Sequence, residues 1–178
     1  MSAVTLDLYS GAGGQYPTEI RVGPGRPWAG LVAQSASLYL ENPPARAAGS
    51  RRLTFHPAVD YPLGLEPMRG SSGLLYAYVY RPTDHEAILA FDRRINARYS
   101  EFFVTAGEYA AGTYDVEGLP APCIGELARI DAASRTEWTE RSAALELPAD
   151  IETIIAECRL LQDRSYERYV IWMTIPAQ

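Results

Sequence analysis

The chain has 178 residues and a net charge of −6, and 47% of its residues are hydrophobic. These values are typical of a globular protein with one core domain and room for an extension. No window is apolar enough to span a membrane, and no signal-peptide pattern opens the chain, so we expect a cytoplasmic protein without a membrane partner. Its arginines are scattered, which argues against a nucleic-acid partner.

Basic chemistry in this chain is restricted to arginine, because all 16 basic residues are of that type. The absence of lysine excludes a Schiff-base lysine, covalently held pyridoxal phosphate and a phosphate loop of the Walker type. The two cysteines and the two histidines are widely separated and match no zinc-site spacing. The sequence therefore predicts no metal site.

Residues 1–72 predict a β-rich extension without helical periodicity. A glycine cluster at residues 10–14 resembles the cofactor-binding turn of methyltransferases. That turn must open a helix, however, and Pro17 with the later glycines and prolines prevents one. We interpret the cluster as a loop between strands. The strand-like runs are VTLDLY, TEIRV, GLVAQSASLYL and RRLTFH.

From residue 73 the pattern changes to alternating strands and helices. The run LLYAYVY is a strand that carries three tyrosines on one face. Thr83 and Glu86 then form a capping-box pattern. The helix that follows has an apolar stripe at helical spacing. The residues of that stripe are Ile88, Phe91, Ile95, Tyr99 and Phe102.

Two further strands are predicted in EYAAGTYDVEG and CIGELARID, followed by a second capping box at Ser134 and Glu137. Pro148 interrupts the helix that starts there, DIETIIAECRLLQ resumes it, and YERYVIWMTIP forms a last strand. The order β-α-β-β-α-β is that of the ferredoxin-like split βαβ unit. We therefore predict an α+β fold, with a β-rich extension over residues 1–72 and a ferredoxin-like domain over residues 73–178.

Residues 74–176 are similar to a subunit of the dimeric α+β barrel superfamily, which includes antibiotic-biosynthesis monooxygenases, EthD-like proteins and polyketide cyclases. The similarity rests on LLYAYVY, HEAILAFDRRINARY, EWTER and RYVIWMTI. It implies a pocket between sheet and helices, activity without a metal or organic cofactor, and a homodimer. A homodimer joined through sheet faces would also cover the apolar face that a sheet with helices on one side leaves open.

Five residues are candidates for binding a substrate in such a pocket. Tyrosines could stack on an aromatic substrate and donate hydrogen bonds to its oxygens, although packing is the commoner role of such residues. An arginine beside a tryptophan could clamp a carboxylate or a phenolate, although a salt bridge is its commoner role. The candidates are Tyr76, Tyr78, Tyr80, Arg168 and Trp172.

Four residues are candidates for acid–base chemistry: His56, Asp60, Asn96 and Tyr99. An aspartate can orient an imidazole base, as the spacing of His56 and Asp60 would allow. Asn96 could hold an enolate while Tyr99 donates a proton. A strand-end histidine that caps a turn, and helix residues that satisfy nearby backbone, are the alternative interpretations.

These residues favour a cofactor-independent enzyme of specialised, polyketide-like metabolism that acts on a hydrophobic, oxygen-bearing small molecule. A cyclase or isomerase that works through an enolate-type intermediate is the leading hypothesis. A cofactor-independent monooxygenase would use nearly the same pocket. Two alternatives are an accessory dimer that only binds a ligand and, as in some dimeric barrels, a haem protein.

Overall fold

The computed structural model describes residues 4–10, 17–22, 35–41, 51–60, 73–165 and 168–175. Within these ranges the chain forms eight strands and three helices. In chain order they are β1 (Val4–Ser10), β2 (Pro17–Val22), β3 (Ser35–Glu41), β4 (Arg51–Asp60), β5 (Gly73–Tyr80), α1 (His85–Thr105), β6 (Glu108–Glu117), β7 (Cys123–Ile130), α2 (Arg135–Ala143), α3 (Ala149–Leu160) and β8 (Arg168–Ile175).

All described strands belong to one antiparallel sheet in the order β2-β1-β4-β6-β7-β5-β8-β3. The α+β class is as predicted. From β5 onward the elements follow the predicted order, with the second helix divided into α2 and α3 before Pro148. The strand order β6-β7-β5-β8 is compatible with a ferredoxin-like arrangement.

The four predicted N-terminal strands are present as β1 to β4, and they extend the same sheet as β5 to β8. Strand β4 pairs with β6 on one side, and β3 pairs with β8 on the other. The two end strands, β2 and β3, contact each other, so the sheet curls until its ends meet. The boundary at residue 72 stays a prediction about chain organisation. Residues 61–72, which precede this boundary, lie outside the described residues.

One of the two predicted helix caps is wrong by a single residue. Asp84, not Thr83, caps α1, and its carboxylate accepts a hydrogen bond from the Ala87 N–H at 2.9 Å. Thr83 is held elsewhere, because its N–H and its hydroxyl both donate to the Leu161 carbonyl after α3. The helix therefore begins one residue later than the capping box suggests.

The second predicted cap is confirmed. The Ser134 hydroxyl accepts a hydrogen bond from the Glu137 N–H at 3.1 Å. The Glu137 carboxylate reaches back to accept from the Ala133 N–H at 2.9 Å. The cap at Ser134 is therefore formed, but the return bond goes to the Ala133 N–H and not to the Ser134 N–H of a standard capping box.

The sheet has an apolar core on each face. On the helix side, α1 packs its buried stripe against residues that include Tyr80 and Ile124. Side chains of the opposite face, among them Phe55, Ala77 and Leu127, are fully buried within a single chain. Because the sheet curls, its own N-terminal strands contribute to this second core, as Phe55 of β4 does.

Gly125 of β7 leaves room for the side chains of Phe55 on β4 and Val116 on β6 on this second face. A β-carbon there would collide with the Phe55 ring and lie 2.6 Å from Val116 Cγ2. We expect Gly125→Val to prevent folding and Gly125→Ala to lower the free energy of unfolding by about 1–3 kcal/mol. Urea unfolding measures the loss. Gly112→Ala, which meets only the Tyr114 side chain at 3.0 Å or more, should cost less; an equal cost would contradict this account.

Candidate functional site

A cavity of about 300 Å³ lies between the sheet and the helices α1 and α3. Strands β5 and β7 supply its sheet wall, and side chains of α1, of α3 and of the segment just after α3 supply the rest. A pocket between sheet and helices is what the family resemblance of the sequence implies. The residues that line it are Tyr76, Tyr78, Phe91, Asp92, Ile95, Tyr99, Glu126, Ile154, Ile155, Cys158, Arg159, Gln162 and Arg164.

The three tyrosines of β5 face the helices, which alternation alone could not decide. Tyr76 and Tyr78 line the cavity, and their rings stack with centroids 6.4 Å apart. Tyr80 is fully buried beside them. Tyr78 donates a hydrogen bond to Gln162 Oε1 at 2.8 Å. Burial raises the pKa values of Tyr76 and Tyr78 well above the usual range, so both stay protonated and act as hydrogen-bond donors.

Glu126 is an acid at the cavity wall with a strongly shifted pKa. Burial, followed by the charges of Asp92 and Glu108, raises its pKa from 4.5 to about 8, while a hydrogen bond from Tyr80 opposes the shift. The Tyr80 hydroxyl donates to Glu126 Oε1 at 3.4 Å. A carboxyl with such a pKa changes its protonation state near neutral pH, which suits a general base or acid.

Asp92 is the second carboxylate of the cavity and is only 2% exposed. It accepts a hydrogen bond from the Thr113 hydroxyl of β6 at 2.9 Å. Because Asp92 lies on α1 and Glu126 on β7, the packing of α1 on the sheet is what brings the two acids together. A pair of interacting carboxyls in one pocket titrates at separated pKa values, which allows one to be neutral while the other is charged.

The sequence contained a signal for both acids that the analysis of patterns missed. Glu126 stands in the middle of the otherwise largely apolar run CIGELARI. Asp92 lies four residues after Ile88 and three before Ile95, inside the apolar stripe of α1. A carboxylate that takes a core position needs a functional or structural reason.

Of the predicted catalytic residues whose side chains the structure describes, only Tyr99 lines the cavity, where its ring stacks on Phe103 with centroids 4.2 Å apart. Asn96 is half-buried on α1 but does not border the cavity. His56 is exposed on β4, with its Nε2 atom 3.1 Å from Glu117 Oε2. Asp60 pairs with Gly112 through its strand backbone, and its side chain lies outside the described structure.

The other histidine also lies away from the cavity. His85, at the start of α1, places its Nε2 atom 2.5 Å from Asp115 Oδ1. Within the ranges that the structure covers, no three histidine, cysteine or acidic side chains are arranged to hold a metal ion.

The two candidates on β8 are located by their backbone. Trp172 stands directly opposite Tyr76 of β5, and Arg168 stands opposite Glu41 of β3. Their side chains are outside the described structure. The pairing places Trp172 beside the strand that forms the cavity wall. Because its side chain is not described, its role as a substrate contact stays a prediction.

Neither cysteine is placed as a nucleophile. Burial raises the pKa of the Cys158 thiol to about 12, and Cys123 is only 2% exposed. Because the thiolate is the reactive form, we expect iodoacetamide at pH 8 to label the native protein at least about tenfold more slowly than the protein unfolded in urea. Mass spectrometry of the alkylated protein measures both rates. Equal rates would mean that a reactive thiol is present in the folded state.

Comparisons of the chain with protein-family models, with curated proteins and with solved structures found no match. Among the described residues, no helix combines the length and the apolar character that crossing a bilayer requires. The candidate site therefore rests on its own geometry and chemistry.

Proposed function

We propose that this protein is an enzyme that transfers a proton to and from carbon in a hydrophobic, oxygen-bearing small molecule, as an isomerase or cyclase does. The observation that carries the proposal is Glu126, an acid whose pKa of about 8 is raised mainly by burial at the wall of the cavity. A general base works best when its pKa is near the working pH. The proposed reaction uses acid–base chemistry, as the sequence predicts, but its base is Glu126 instead of His56.

In the proposed reaction the Glu126 carboxylate removes a proton from a carbon next to a carbonyl group. The electron pair of the broken C–H bond moves to the carbonyl oxygen and forms an enolate. Tyr76 has a protonated hydroxyl in the cavity that can donate a hydrogen bond to this oxygen. Tyr78, whose hydroxyl donates to Gln162 Oε1, does the same once it exchanges that acceptor for the enolate oxygen. Glu126 then returns the proton to the same or another carbon, which completes an isomerisation or follows a ring closure.

Asp92 has a supporting role in this proposal. Its carboxylate lies near enough to Glu126 to raise the pKa of that group. The hydrogen bond from Thr113 holds the Asp92 side chain in place. Asp92 therefore makes Glu126 a stronger base once Glu126 has lost its proton.

The resemblance to the dimeric α+β barrel superfamily, the homodimer, the cytoplasmic location, the place in specialised metabolism and the independence from cofactors stay predictions. A dimer joined through sheet faces was expected because it would cover an apolar sheet face. Phe55 and Leu127 of that face are already buried within one copy, so this reason for a dimer is weaker. A sedimentation mass near twice 19.6 kDa would support the dimer, and a mass of one chain would exclude it.

Deuterium uptake by a simple bicyclic benzylic ketone tests the proposed reaction. We expect the protein in D₂O to accelerate exchange of the C1 protons of 2-tetralone, followed by ¹H NMR, above the buffer rate. The rate should increase with pH and level off above about 8, as Glu126 loses its proton. Saturable binding of 2-tetralone without exchange would instead favour the ligand-binding alternative, in which the cavity only sequesters its ligand.

A further inference from the structure

Two arginines stand at the mouth of the cavity. Arg159, near the end of α3, and Arg164, in the turn that follows, both line the cavity and are both exposed. The two acids that line the cavity are less exposed than these arginines: Asp92 is buried, and Glu126 is half-buried. The cavity is therefore positive at its solvent end and acidic in its interior.

Arg159 is available to bind an anion. Neighbouring arginines on α1 are engaged with α3, because Arg94 pairs with Glu157 and Arg98 pairs with Asp150. Arg159 itself forms no ion pair with any carboxylate in the part of the chain that the structure describes. An arginine at the mouth of a cavity that has no such partner can bind a carboxylate through the planar set of N–H donors on its guanidinium group.

Arg159, Arg164 and Glu126 all influence the pKa of one tyrosine, Tyr78. Burial and the charge of Glu126 raise the pKa of Tyr78, whereas Arg164 and Arg159 lower it. The Tyr78 hydroxyl thus lies within electrostatic reach of the cationic mouth and of the acidic interior. A small molecule that extends along Tyr78 could contact both ends at once.

The size and the lining of the cavity limit the ligand. A volume of about 300 Å³ lies at the lower end of the range for small-molecule sites and accommodates a ligand with about two fused rings. Tyr76, Tyr78, Phe91 and Tyr99 supply aromatic surfaces for stacking.

We propose that the substrate is a bicyclic-sized aromatic carboxylate, whose carboxylate is held by Arg159 and Arg164 while its rings lie along Tyr76 and Tyr78. The reacting carbon then lies at the interior end, away from the anion and next to Glu126. This assignment deepens the proposed function, and it rests on that function only in placing the reacting carbon.

A matched pair of probes tests the assignment: 2-naphthoate, which is an anion, and 2-naphthamide, which is its neutral planar counterpart. Isothermal titration calorimetry gives the dissociation constant of each. We expect the unaltered protein to bind naphthoate at least about fivefold more tightly than naphthamide, a modest factor because the arginines are exposed and screened. The ratio should fall to about one in the double variant Arg159→Gln, Arg164→Gln, and to an intermediate value in Arg159→Gln alone.

Arg93→Gln is the matched control, because it removes the same charge from an exposed position on α1 that does not line the cavity. It should leave the ratio unchanged, and thermal melts should show that all variants stay folded. Equal binding of the two probes by the unaltered protein, or a ratio that survives the double substitution, overturns the assignment. So does the failure of both probes to bind.

The two proposals fail in different ways. An arginine-dependent preference for naphthoate without any exchange of 2-tetralone would support the ligand class and remove the proposed reaction. Exchange of 2-tetralone by a protein that binds naphthamide as tightly as naphthoate would support the reaction and remove the ligand class.

Discussion

Glu126→Gln is expected to lower the rate of deuterium exchange in 2-tetralone by about 10²–10⁴-fold. A positioned general base typically contributes that factor, and the amide of glutamine cannot accept the proton. The fold should be retained, because a carboxyl with a pKa of about 8 is mostly neutral at pH 7 and glutamine has nearly the same shape as the neutral acid. The exchange rate by ¹H NMR and the melting temperature are the two measurements.

Glu108→Gln is the matched control for this prediction. Burial also raises the pKa of Glu108 to about 8, but Glu108 does not line the cavity. Glu108 comes last, after burial and Asp92, among the three causes that raise the pKa of Glu126. Substitution of Glu108 should therefore change the exchange rate only by about threefold or less, far below the factor expected for a base. Full exchange activity in Glu126→Gln, or an equal loss in both variants, would show that Glu126 is not the base.

The stability of the protein is expected to fall as the pH rises from about 5 to 9. Burial raises the pKa values of Glu108 and Glu126 from 4.5 to about 8. Between these values the unfolded chain has lost the two protons while the folded chain still holds them, so raising the pH favours unfolding. The stabilisation is complete below about pH 4.5 and is lost once the pH passes about 8.

The size of the stability loss follows from the pKa shifts of Glu108 and Glu126. One pKa unit corresponds to about 1.4 kcal/mol, so each acid could contribute at most on the order of 5 kcal/mol. Glu126 contributes less than Glu108 because part of its side chain remains exposed. We expect a total loss of roughly 3–6 kcal/mol between pH 5 and 9, once local relaxation and water entry are allowed for.

Urea unfolding at several pH values measures this loss, and the double variant Glu108→Gln, Glu126→Gln provides the control. Its stability should be nearly constant over the same range. The window starts at pH 5 because Asp150 and Asp163, whose pKa values are lowered mainly by hydrogen bonds from Arg98 and Ser165, stabilise the folded state less as the pH falls further. Stability that rises towards pH 9 in the unaltered protein would contradict the assignment of two buried neutral acids.

Local patterns were sufficient to predict the order of the elements. Strand alternation located β5, the apolar stripe located α1, and Ser134 marked the start of α2. Pro148 separated α2 from α3, because proline has no N–H for a helix interior. Each of these signals depends on neighbours within a few residues, which is why a single sequence reveals them. The cap at Asp84 was missed because a tertiary contact to the Leu161 carbonyl holds Thr83.

The sequence by itself therefore determined where the strands and helices lie along the chain and which side chains of an element share a face. Only the tertiary structure decided that the tyrosine face of β5 turns towards α1 and α3, and that Glu126 and Asp92 line the same cavity. The physical reason is that alternation specifies which residues share a face but not which element covers it. The pKa of Glu126, in turn, depends on how far residues from other elements exclude water from its carboxyl, and that exclusion exists only in the folded chain.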